Sequence, residues 1–118
     1  MLGDIRMAQN VYIACGHTDM RKSIDGLAAI VQQQFRLDPF SPALFLFCGK
    51  KHDRIKALLW EGDGFVLLYK RLENGYYQWL SKSSDAMALS WEQFNRLMQG
   101  FSLEERVTIR PAKPADFC

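Results

Sequence analysis

The chain has 118 residues, of which 48% are hydrophobic, 13% aromatic and 24% charged, the size and make-up of one folded domain. This composition excludes a disordered chain, a collagen-like repeat and a disulfide-dense miniprotein. The net charge of +2 says little as a total, but residues 50–82 hold seven Lys and Arg against four Asp and Glu, so the positive charge is local.

No apolar run approaches the roughly 20 residues that span a bilayer. The first ten residues, with Asp4 and Arg6 among few hydrophobes, do not read as a secretion signal. The three cysteines, Cys15, Cys48 and Cys118, are sparse and unpaired in spacing, which suits reduced thiols. The expected compartment is the cytoplasm.

Asn10 to Cys15 is rich in β-formers and ends at Gly16, predicting a strand. Thr18, Asp19 and Ser23 are alternative N-caps for a helix carrying Ile24, Leu27, Ala28, Val31 and Phe35 on one stripe and stopped near Leu37 by Pro39. Ala43 to Cys48 is a continuous apolar run, predicting a central strand covered on both faces. Arg54 to Leu59 and Phe65 to Leu72 predict two more strands around the turn Glu61-Gly62-Asp63-Gly64. Asn74-Gly75 predicts a hairpin returning through Tyr76 to Leu80. Together these make an antiparallel meander from about residue 43 to 80.

Ser90-Trp91-Glu92-Gln93 is a capping box, followed by the stripe Trp91, Phe94, Leu97, Met98, Phe101, with Gly100 suited to the C-terminus. Arg106 to Arg110 predicts a short last strand, and residues 111–118 a loose tail. The expected fold is therefore a single α+β domain over residues 1–110, an antiparallel β-meander packed against one long and one shorter helix.

Cys15, His17, Cys48 and His52 could in principle make a tetrahedral zinc site. The Cys-x-x-Cys knuckles of structural sites are absent, however, and both cysteines also read as small hydrophobes in strands. No motif of nucleophilic catalysis and no Gly-rich phosphate loop is present. A metal-dependent nuclease needs clustered carboxylates. Asp19, Asp25, Asp53, Glu61 and Asp63 are scattered over turns and a helix start instead. Neither a cofactor nor a catalytic residue is expected.

The informative feature is the meander. Lys50, Lys51, Arg54 and Lys56 flank one hairpin, and Lys70 and Arg71 end a neighbouring strand. Trp60, Phe65, Tyr69, Tyr76, Tyr77 and Trp79 are interleaved with them. Cations beside aromatics on a sheet can neutralise phosphates and stack bases. The plainer explanation is cross-strand packing and protection of a sheet edge. Arg54 and Lys56 share a face, and Lys70 shares parity with Val66 and Leu68, so one cationic surface from all six is the expectation to test.

Several segments occur together and in order: Thr18-Asp19-Met20-Arg21-Lys22, Asp25-Gly26-Leu27, Asp53-Arg54-Ile55-Lys56, Trp60, Gly62-Asp63-Gly64-Phe65 and Tyr69-Lys70-Arg71-Leu72-Glu73. Over about residues 10 to 100 the chain resembles the small accessory proteins of the insertion-sequence-sixty-six family, the second-open-reading-frame products called TnpB. It differs in its ending, where Gly100-Phe101-Ser102-Leu103 replaces the expected Gly-hydrophobic-Asp-Trp pattern. The resemblance implies a bacterial, non-catalytic accessory factor for transposition, working beside a separate transposase and contacting the element's DNA, the transposase or both. It also draws Arg21 and Lys22 into the candidate DNA-binding set, as cations at a helix start. The alternatives are a protein-interaction module without DNA contact and a small metal-dependent nuclease.

Overall fold

The computed structural model describes residues 2–103. Five strands form one mixed sheet: β1 (Asn10–Ala14), β2 (Ala43–Cys48), β3 (Arg54–Trp60), β4 (Phe65–Arg71) and β5 (Ala86–Leu89), in the order β4-β3-β2-β1-β5. β1 and β2 are parallel and every other pair is antiparallel. The parallel pair needs a crossover. Helix α1 (Ile24–Ala29), continued by a wider helical turn at Ile30–Gln34, supplies it. The second helix, α2, is Trp91–Met98.

The sheet separates two apolar layers. Leu27 and Val31 of the α1 segment pack on Phe45, Phe47 and Leu58. Phe94 and Leu97 of α2 share the opposite layer with Val11, Ile13, Leu44, Leu46 and Leu59. Successive residues of a strand point to opposite faces, so β2, central and covered twice, is buried along its whole length. Its unbroken run Ala-Leu-Phe-Leu-Phe-Cys is the sequence form of that position.

Both ends of α2 are built from local chemistry. Ser90 Oγ accepts from Gln93 N–H at 3.0 Å, and Gln93 Oε1 accepts from Ser90 N–H at 2.8 Å. At the other end Gly100 turns left-handed (φ 95°). Gly100 N–H then donates to Leu97 O and Phe101 N–H to Arg96 O, both at 3.0 Å, the paired bonds of a glycine-terminated helix.

Two expectations are corrected. The first helix is not long: its α-helical part covers six residues, and Phe35 N–H reaches back five positions to Ile30 O at 3.1 Å. It ends with Arg36 left-handed (φ 57°). The second correction is Tyr76 to Leu80, which does not pair back on β4. The chain turns at Gly75 (φ 83°) and runs across the end of the sheet. Tyr77 N–H donates to His52 O at 2.7 Å, Trp79 Nε1–H to Ala14 O at 2.8 Å, and Leu80 O accepts from Gly16 N–H at 2.8 Å. The period of two is real, since Tyr77 and Trp79 are both buried. It reflects packing inward from a crossing segment.

The structure also adds the edge strand β5, which sequence patterning does not reveal. Ala86-Met87-Ala88-Leu89 has weak strand preference, and its pairing with Val11 to Ala14 is imposed by the free edge of β1. The expected strand Arg106–Arg110 and the tail from Pro111 lie outside the described residues.

Candidate nucleic-acid interface

The loop Thr18–Lys22 connects β1 to α1 and is seated on the β2–β3 hairpin by three contacts. Thr18 N–H donates to Cys48 O at 2.8 Å. Met20 lies over Gly49, where a Cβ would come within 2.8 Å of Met20 Cγ. Lys56 Nζ donates to Lys22 O at 2.8 Å. Gly26, on the first turn of α1, leaves room for the Lys22 stem, since a Cβ there would stand 3.3 Å from Lys22 Cβ and Cγ. Segments far apart in the chain thus meet at one corner of the α1 face.

The hairpin tip is shaped by its backbone. His52 N–H donates to Gly49 O at 3.0 Å, and His52 is left-handed (φ 62°), as in hairpins built on a turn followed by a left-handed residue. Lys50 and Lys51 are thereby held exposed at the tip. Among the described residues neither enters an ion pair.

Two adjoining hollows result. One, of about 350 Å³, is lined by Thr18, Asp19, Lys50, Lys51, Asp53 and Arg54 among others. The second, of about 370 Å³, is lined by Met20, Arg21, Arg54, Lys56, Leu67 and Tyr69. Five cationic side chains therefore border them, against the two carboxylates of Asp19 and Asp53.

Asp19 is fully engaged. Its carboxylate takes Arg21 Nε at 3.0 Å, Arg21 Nη2 at 2.8 Å and Arg21 N–H at 2.9 Å. The Arg21 side-chain bonds, followed by that backbone bond, hold its pKa at about 2. Asp19 does not cap α1, which begins at Ile24 behind Ser23. Arg21 and Lys22 accordingly sit in a preceding loop, not on the helix.

The β3–β4 register decides which cations share a face. The turn after Trp60 sets Trp60 opposite Phe65, so parity switches across the hairpin. Arg54 faces Arg71, Lys56 faces Tyr69, and Lys70 faces Ile55. Directly opposed residues lie on the same side of a sheet. Arg54, Lys56, Tyr69 and Arg71 are consequently on the α1 side, while Lys70 goes to the other. There it borders an apolar cleft of about 260 Å³ with Ile5, Leu68, Phe94 and Met98. A single surface holding all six meander cations is therefore not formed.

Arg54 and Arg71 are like charges in a cross-strand pair, an arrangement that costs stability. Arg71 is compensated by Glu73 (Nε–Oε2 2.9 Å), which raises its pKa. Arg54 has only Asp53 at 3.9 Å, and its buried Nε makes no hydrogen bond among the described residues.

Tyr69, which lines this corner, is one of the aromatics the sequence interleaves with the cations, whereas Met20, Gly49 and Gly26 shape it and none of the three is an obvious site residue in the sequence. Their signal is steric and depends on register, neither of which a linear pattern carries. The possible zinc ligands do not assemble. Among the described residues no three His, Cys, Asp or Glu side chains are grouped to hold a metal ion. Among the described residues no helix is long and apolar enough to cross a membrane.

A mixed five-stranded sheet with a helix on each face and a charged corner made from ordered motifs defines a small α+β protein. Residues 9–108 match the family model described as IS66 Orf2 like protein, and the chain belongs to that family. The match takes in the Gly100–Leu103 ending. Uncharacterized protein y4hO of Sinorhizobium fredii is 38% identical over 104 residues, covering 87% of this chain and 90% of that relative. Uncharacterized protein y4jC of the same organism is 31% identical over 113 residues, covering 96% and 95%. No solved structure matches. Family membership associates the chain with insertion-sequence transposition, in an accessory role.

Proposed function

We propose that the protein is a non-catalytic transposition accessory factor that binds the phosphate backbone of DNA through the corner formed by Arg21, Lys22, Lys50, Lys51, Arg54 and Lys56. Arg71 flanks this surface and Lys70 lies outside it. The observation that carries the reading is the convergence of Thr18–Lys22, the Lys50–Lys51 tip and Arg54/Lys56 around two joined hollows. A cationic excess held at a stability cost, with Arg54 opposite Arg71, suits an anionic ligand. Backbone phosphate contact without a recognition helix gives affinity and little base readout.

The test is a salt titration of binding to duplex DNA, including the element's ends. Neutralising about four phosphates gives a log–log slope near −3.6. Lys50→Ala combined with Lys51→Ala, both at exposed tip positions, lowers the magnitude of the slope by about 1.8. An unchanged slope and affinity would remove this corner from DNA binding.

A second reading, docking to the element's transposase, is supported by the apolar cleft on the α2 face, where Leu68 is 37% exposed beside Phe94 and Met98. If the charge variants leave DNA affinity unchanged, Leu68→Glu, tested by pull-down with the transposase, addresses that surface.

A further inference from the structure

Tyr69 stands among the cations of this corner, and phosphate neutralisation gives it no task. The residue is 53% exposed and forms one wall of the hollow of about 370 Å³, with Met20 and Leu67 as further apolar lining. Lys56 Nζ lies 5.7 Å from the ring centroid and is held by the Lys22 carbonyl. Arg21 and Arg54 complete the rim.

An intact duplex keeps its bases stacked inside and offers phosphates outside, so it has no group to lie flat against an exposed aromatic ring. A nucleotide from a single strand has both: a flat base for the ring and a phosphate for the rim. Aromatic rings beside tracking cations are the usual construction of single-strand sites, and they tolerate any base because each has a π-face.

Building on the DNA-binding reading, we infer that this corner prefers single-stranded over duplex DNA, with one unstacked base lying against Tyr69 and its flanking phosphates on Arg21, Arg54 and Lys56. The competing role for Tyr69 is as the cross-strand neighbour of Lys56 alone. That role would affect stability and leave no preference between DNA forms.

The experiment compares the full-length wild type with Tyr69→Ala and Tyr69→Phe. The probes are a labelled oligothymidylate of about 12 nucleotides, inside the ~4–16 range of single-strand sites, and a mixed-sequence duplex. Both variants are first checked for native melting. The wild type should bind the single strand more tightly. Tyr69→Ala should weaken it roughly 5- to 150-fold, the effect of losing one stacked base, while duplex binding moves less than about two-fold and Tyr69→Phe stays within about two-fold on both probes.

Equal loss on both probes, no loss on either, or a Phe variant as weak as the Ala variant would each overturn the stacking assignment. In those cases the phosphate reading still stands on the Lys50/Lys51 salt slope. A wild type that binds neither probe overturns both.

Discussion

Cys48 illustrates how one buried side chain links the core to pH. Its thiol, 0% exposed at the end of β2, has its pKa raised from 9.0 to about 12, first by burial and then by Asp53. Burial raises the pKa values of Cys15 and Tyr77 as well. For such acids the folded state keeps the proton that the unfolded chain gives up. Stability is therefore intact below about pH 9 and declines as pH rises from 9.0 toward about 12. Urea midpoints should hold level from neutral pH to about pH 9 and fall from there to about pH 10.5, and Cys48→Ala should make that decline shallower. An equally steep fall in the variant would assign the effect to other groups.

At the scale of elements, α1 and the hairpin hold the corner from opposite sides. Leu27 is 0% exposed between α1 and the sheet. Leu27→Ala should cost about 2–5 kcal/mol in urea unfolding, and no loss would contradict the facing of the helix. Gly49 is a more local support. Any side chain there collides with Met20, so Gly49→Ala should cost about 1–3 kcal/mol and weaken DNA binding by shifting the Thr18–Lys22 loop. A Met20→Ala change removes the obstructing group. The double variant should thus be less destabilised than the two single losses added, a coupling that a double-mutant cycle reads directly. Strict additivity would mean that the two residues do not touch.

For the whole molecule, the described residues contain no group of three or more His, Cys, Asp or Glu side chains placed to hold a metal ion. Purified protein should leave supercoiled and linear DNA uncut in magnesium or manganese. Cleavage abolished by Asp53→Ala or Asp63→Ala would replace the accessory reading with a nuclease. The sequence by itself determined what depends on local order. Ala43 to Cys48 had to be a doubly covered strand because six consecutive apolar side chains must point both ways. Ser90 and Gln93 had to start a helix because each satisfies the other's backbone donor. The motif order pointed to the family, and the local excess of charge to the meander.

What tertiary structure decided were relations between distant residues. The alternation at Tyr77 and Trp79 was legible, but whether they faced a partner strand or crossed the sheet end depended on the bonds to His52 and Ala14. β5 became a strand because β1 left an open edge for it. Lys70 parted from Arg54 because a turn of one particular length switches parity across a hairpin, and a one-residue change in register moves every side chain to the other face. Arg21 came to the hairpin through Met20 seated on Gly49, a steric fit between residues 29 positions apart that no periodicity encodes.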